Sequence, residues 1–180
     1  MKYRTHWRPP LLQSLPKSLR AWLTDTGSLT RLLQQACEHA FSVNVIDTHW
    51  ERALPDEALL MHKPFSQRML QREVHLMDGD IPQIYARTLV PISTYQSMPA
   101  RFDGLGNRSL GEMLFTNPSL QRGPIEVACL QPEDALYELA IHHITQRPSS
   151  LWARRSCFYL NSMPLLVTEL FLPSDKWSHE

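Results

Sequence analysis

The chain has 180 residues, the length of one ordinary domain with a core of its own, and its 18 Lys plus Arg balance 18 Asp plus Glu to a formal net charge of zero. With no basic field and no Lys/Arg block, nucleic acid is not an expected partner, and 43% apolar against 20% charged residues excludes wholesale disorder. Proline outnumbers glycine 14 to 6, which promises stiff turns and interrupted helices. Cys37, Cys129 and Cys157 are odd in number and form no CxxC pair, which suits buried thiols in a reducing compartment. No stretch approaches the roughly 18 apolar residues of a membrane span, and Met1 to Pro10 lacks the apolar core of a signal peptide. A cytoplasmic protein without membrane insertion is the expectation.

The first elements read as helices. Leu15, Leu19, Trp22 and Leu23 recur at helical spacing, with Pro16 suited to a first turn. Gly27 breaks that pattern, and Ser28 is placed to cap a second helix whose apolar face is Leu29, Leu32, Leu33, Ala36 and Ala40. From about residue 68 the period becomes two: Leu70, Arg72, Val74 and Leu76 share one face of a half-buried strand, and Gln71, Glu73 and His75 the other. A turn at Asp78-Gly79-Asp80 joins it to a second strand, Ile84 to Val90, limited by Pro91. After the loop Asp103 to Asn107, Ser109 and Glu112 form a capping-box pattern that opens a short helix through Leu114 and Phe115.

Residues 124–130 read as a further strand, and Pro132 starts a helix carrying Leu136, Leu139, Ala140, His143 and Ile144 until Pro148. A second hairpin follows: Trp152 to Leu160, a turn at Asn161-Ser162, and Leu165 to Leu172. Together these predict an α+β fold, one domain over 1–180, with an antiparallel β-sheet, helices packed on one side, and a frayed tail at 174–180.

Two charges contradict their surroundings. Arg72 shares the inward parity of Leu70, Val74 and Leu76, and Glu169 shares a face with Leu165, Val167 and Phe171. An unpartnered buried charge costs several kcal/mol by order of magnitude, so each needs a partner. Two readings are open: a mutual ion pair, or a pocket on the sheet in which Arg72 grips a carboxylate and Glu169 accepts from a hydroxyl.

A family resemblance runs through the same segments. Trp22-Leu23 with Gly27 to Thr30, Leu70 to Val74, Ala86 to Pro91, Leu110-Gly111 with Leu114-Phe115, Ala153 to Ser156, and Leu166 to Pro173 resemble chorismate pyruvate-lyase in order and spacing over roughly residues 22–173. The resemblance implies a carbon–oxygen lyase that removes pyruvate from chorismate to give 4-hydroxybenzoate for ubiquinone biosynthesis. It implies an antiparallel sheet with flanking helices, a monomer, and an enclosed site without metal or organic cofactor. Carried over by position, the ligand contacts fall on Leu29, Arg72, Leu110 and Glu169, with Arg72 and Glu169 as the catalytic pair. Leu29 and Leu110 each follow a predicted N-cap serine, so their contact is through backbone N–H groups at helix starts. Arg87 and Arg155 are candidates for the cation that meets the enolpyruvyl carboxylate. The Leu29 position is associated with Met in the family, and residues 132–146 look like an added helix, packed outside or lengthening a lid.

Two rival readings are open. A metal site would draw on His142-His143 or Cys37-Glu38-His39, but no HExxH or paired CxxC is present, and His143 on an apolar helix face reads as a core residue. A non-catalytic effector-binding domain is the other, because the lyase resembles such domains of bacterial transcription regulators. About 60 residues precede the first expected strand, and they are not basic and look like cover for the sheet rather than a winged-helix module.

Overall fold

The computed structural model describes residues 5–177. Seven strands form one antiparallel sheet: β1 Phe41–Arg52, β2 Arg68–Asp78, β3 Ile81–Pro91, β4 Leu120–Arg122, β5 Glu126–Leu130, β6 Leu151–Leu160 and β7 Met163–Phe171. Their order is β1-β2-β3-β7-β6-β4, with β5 also paired to β6. The helices are α1 Lys17–Thr24, α2 Leu29–Ala36, α3 Pro55–Leu60, α4 Ile92–Ser97, α5 Pro99–Asp103, α6 Leu110–Phe115 and α7 Ala135–Ile141, after a 3-10 turn at Pro10–Leu12. The α+β antiparallel fold is as expected.

Both hairpin turns are where the sequence places them. Asn161 and Ser162 take φ of 49° and 65°, the pair of positive values that matches a two-residue turn to the twist of its strands. This sets Leu160 opposite Met163 and, counting outward equally, Arg154 opposite Glu169. In the β2–β3 hairpin the register shifts between Leu76 and Met77, so Arg72 faces Thr88 and Glu73 faces Arg87.

One face carries Val74, Leu76, Ile84, Ala86 and Phe171 against Leu19 and Leu23 of α1 and Leu29 and Leu33 of α2. It continues through Val90, Phe158 and Leu165 against Phe102, Leu110 and Leu114 of α5 and α6. The helices are not confined to this side. α7 packs Leu136, Tyr137, Ala140 and Ile141 on Tyr85, Ala153 and Leu170 of the opposite face, and Ala58 of α3 joins Met69, Leu89 and Leu166 there. The extra helix therefore lies outside, across the sheet from α2 and α6, and is no lid. His143 falls beyond its end and is exposed, so it is not a core residue.

With both faces covered, β2 is buried on both. Gln71, Glu73 and His75 are under 10% exposed, because Gln71 donates to the Arg52 carbonyl at 2.9 Å and Glu73 pairs with Arg87 at 2.6 Å.

β1, β4 and α3 to α5 were not expected from the sequence. Its second helix stops at Ala36, short of Ala40, because the buried Asp78 carboxylate accepts from the Glu38 and His39 N–H groups at 3.0 and 2.7 Å and turns the chain into β1. The tail is docked through residue 177, not frayed. Lys176 reaches Asp78 at 2.8 Å, the buried Trp177 donates to the Leu172 carbonyl at 2.8 Å, and its ring meets Trp22 and Phe171 edge to face. Residues 178–180 lie outside the described residues. Of the three cysteines Cys157 is buried, Cys37 is half-buried and Cys129 is exposed.

Candidate active site

Two rows of side chains cross the sheet on the α2–α6 face. One runs Arg72, Thr88, Val167, Ser156, and the next runs Val74, Ala86, Glu169, Arg154. Above them the first turns of α2 and α6 converge. Ser28 Oγ accepts from the Arg31 N–H, and Ser109 Oγ from the Glu112 N–H, so both helices are capped as expected. Leu29 and Leu110 are the first residues of the two helices, where backbone N–H groups have no intrahelical acceptor. Gly111 makes the convergence possible: a Cβ there would stand 3.0 Å from Thr30 Oγ1 and 3.1 Å from Ser28 Oγ.

A pocket lies between the sheet and these helix starts, lined by Leu29, Arg72, Leu110 and Glu169 together with Arg122 and Arg154. The four principal residues are thus brought together. The open space is small, about 40 Å³, so a ring-sized ligand enters only when the helix layer gives. A wider hollow of about 470 Å³, lined by Trp50, Tyr95 and Phe102, shares Arg72, Thr88 and Leu110, which places Arg72 between the two.

Arg72 and Glu169 do not pair with each other. Arg72 is 8% exposed and donates through Nη2 to the carbonyls of Gly106 and Arg108 at 2.9 and 3.1 Å. No carboxylate pairs with it among the described residues, and burial lowers its pKa. Glu169 Oε2 instead accepts from Arg154 Nε at 2.7 Å. Arg154 is 1% exposed and ties the α1–α2 turn to the sheet by donating to the carbonyls of Trp22 and Asp25 at 2.8 and 2.9 Å.

Arg87 and Arg155 point to the opposite face. Arg87 is held by Glu57 and Glu73 at 3.1 and 2.6 Å, and Arg155 by Asp56 and Glu126 at 2.7 and 2.8 Å under the Trp7 ring. Consecutive strand residues face opposite ways, so Arg154 inward requires Arg155 outward. For Arg87 the reason is the shift at Leu76/Met77, which moves Thr88 into the place opposite Arg72. Both are removed from the site.

Arg154 and Arg122 also line the pocket and were not expected from the sequence. The Asn161-Ser162 turn carried the signal for Arg154, since its register puts Arg154 opposite Glu169. Arg122 lies in a three-residue strand with no periodicity to read.

Among the described residues no group of three His, Cys, Asp or Glu side chains is placed to hold a metal ion, and no helix is long and apolar enough to cross a membrane.

A profile of the family described as chorismate lyase matches residues 1–180. The chain belongs to the chorismate lyase family. A probable chorismate pyruvate-lyase of Nitrosomonas europaea is 43% identical over 168 residues, covering 93% of each chain. One of Aromatoleum aromaticum is 40% identical over 181 residues, covering 97% of each. Solved structures with the same fold include the effector domain of PhnF from Mycobacterium smegmatis, with a TM-score of 0.55 and 14% identity over 82% of this chain and 89% of that one. The C-terminal domain of a histidine utilization repressor from Pseudomonas syringae pv. tomato matches with a TM-score of 0.55 and 14% identity over 78% and 96%. At such identity these structures speak to the fold alone, so the chorismate lyase family shares its architecture with regulator domains.

Proposed function

We propose that this member of the chorismate lyase family is a chorismate pyruvate-lyase, eliminating pyruvate from chorismate to give 4-hydroxybenzoate. The observation that supports it most is a buried cation without an acid, Arg72, beside two helix N-termini and across the pocket from the Arg154–Glu169 pair. An arginine so placed calls for a carboxylate from outside the protein, and the Leu29 and Leu110 N–H groups add donors at the same end. Glu169 keeps one oxygen on Arg154 and offers the other to the ring hydroxyl.

In the reaction the bond between the ring carbon and the ether oxygen breaks and enolpyruvate leaves with that electron pair; the neighbouring carbinol carbon loses its hydrogen as a proton, the C–H pair completes the aromatic ring, and the enolpyruvate takes up a proton at its methylene carbon to become pyruvate. Aromatisation drives the step, so the protein's task is to hold one reactive conformer. Positioning of this kind supplies up to roughly 7–11 kcal/mol of a barrier, and no metal or organic cofactor is needed in this reading. Product feeding ubiquinone synthesis, a monomeric state and a cytoplasmic location belong to the same proposal.

The fold shared with regulator effector domains favours one alternative, a domain that binds such a ligand without turning it over. Incubation with chorismate decides between them: 4-hydroxybenzoate absorbance rising in step with pyruvate supports the lyase, and saturable binding without either product refutes it.

A further inference from the structure

The pocket's charges do not balance. Arg72, Arg122 and Arg154 line it against the single carboxylate of Glu169, so the lining carries two surplus positive charges. Arg154 is committed to Glu169, which leaves Arg72 and Arg122. Arg122 resembles Arg72 in having only neutral hydrogen-bond acceptors: Nε donates to Ser156 Oγ at 3.1 Å, and Nη1 to the carbonyls of Thr26 and Gly27 at 2.8 and 3.0 Å. Its Cζ stands 5.0 Å from the centroid of the Phe158 ring. Burial and the neighbouring Arg154 lower its pKa to about 10 against the opposing pull of Glu169 and Asp25, neither of which pairs with it, and this still leaves it charged at neutral pH. Asp25, the other acid nearby, has its carboxylate on the Gly27 N–H at 2.8 Å and is not part of the lining.

The two uncommitted arginines stand at opposite ends of one row. Ser156, to which Arg122 bends back, is three strands from Arg72, and at about 4.8 Å per strand their backbones lie about 14 Å apart. That separation is on the scale of a six-membered ring carrying an acid group towards each arginine, and the ring is admitted once the helix layer gives.

Resting on the functional reading above, we infer that Arg122 is a substrate-binding residue that takes the second carboxylate of the substrate, the one on the enolpyruvyl group, while Arg72 takes the carboxylate of the ring. The site is thereby built for a dianion and gives up one of its two anionic contacts when the three-carbon acid leaves.

The test contrasts substrate with product, because 4-hydroxybenzoate lacks the second carboxylate. Chorismate kinetics and 4-hydroxybenzoate titration calorimetry are measured on wild type, Arg122→Ala and Arg122→Lys. Loss of a half-buried charge-assisted contact predicts a KM for chorismate raised about 10- to 100-fold in Arg122→Ala, with product affinity within about threefold of wild type. Arg122→Lys keeps the charge and recovers part of the loss. A purely structural Arg122, holding the Thr26 and Gly27 carbonyls for α2, would weaken substrate and product alike, and that result overturns the inference while wild-type turnover still supports the lyase. An unfolded Arg122→Ala with a fully active Arg122→Ser or Arg122→Gln would overturn it equally. A wild type inert towards chorismate overturns the functional reading and the inference with it.

Discussion

Replacing Glu169 by Gln tests the ion pair this side chain makes with Arg154 apart from the substrate contact proposed for it. The substitution leaves Arg154, 1% exposed, with the carbonyls of Trp22 and Asp25 but without its acid at 2.7 Å. Breaking a buried ion pair by removing one partner costs about 3–5 kcal/mol. Glu169 is 13% exposed and Gln retains an oxygen for Arg154, so the lower end, about 3 kcal/mol, is expected. For a domain of this size each kcal/mol moves Tm by about 2–4 °C, giving a fall of about 6–12 °C. Urea unfolding followed by tryptophan fluorescence reads the loss as a lower midpoint at unchanged slope. The double variant Glu169→Leu with Arg154→Met removes both charges. It should regain most of the stability, since apolar replacement of a buried pair is commonly neutral or favourable, yet release no pyruvate. A Glu169→Gln protein within about 1 kcal/mol of wild type would refute the dependence of the α1–α2 anchor on this pair.

Arg72→Ala should weaken 4-hydroxybenzoate binding about 10- to 100-fold by calorimetry, and Arg72→Lys should restore little, because a point charge cannot reproduce the geometry of a guanidinium that also spans the Gly106 and Arg108 carbonyls. Gly111→Ala pushes a methyl against Thr30 and Ser28 and should lower product affinity about tenfold while Tm moves by only a few degrees; an unchanged affinity would show that the closeness of the two helix starts is irrelevant to binding. Burial, reinforced by His143, depresses the His75 pKa from 6.5 to about 4. Between those values the unfolded chain binds the extra proton, so this stability is complete above about pH 6.5 and is lost as pH falls towards 4, about 3 kcal/mol in all. Urea midpoints at pH 7.5, 6 and 5 should show the slope, and His75→Phe should flatten it. Thiol titration of the native protein should find Cys129 reactive and Cys157, whose pKa burial raises to about 11, inert, with activity surviving modification of Cys129.

The elements legible in the sequence are those whose local signals agree with their surroundings. Ser28 and Ser109 announce α2 and α6 because a capping hydroxyl acts within three residues, and Asn161-Ser162 announces its hairpin because two positive φ values are a local demand. The identity of Arg72 and Glu169 as misplaced charges was likewise legible, since alternation exposes a charge on an apolar face. Their partners were not, because partnering depends on register. One irregularity at Leu76/Met77 decides that Thr88, and not Arg87, joins Arg72, and β3 is apolar on both sides around it, so no parity could be read from Ile84 to Val90. α3 went unseen for a similar reason: Asp56 and Glu57 look like the acidic first turn of a surface helix, whereas Glu57 is fully buried on Arg87.

The order of strands has a consequence for the time at which the site comes into being. β7 follows every other strand in the chain yet lies inside the sheet, between β3 and β6. Until it is made, the β1–β2–β3 meander ends in an open edge carrying apolar residues on both faces, and β6 has no hairpin partner. Within the sheet, among the described residues, β3 and β6 are connected through β7, which also brings Glu169 to Arg154 and thereby fixes the turn before α2. A nascent chain therefore carries Arg72 and the capping residues Ser28 and Ser109 before it carries the strand that completes the pocket, and until β7 is made the inner edge of β3 has no strand to pair with.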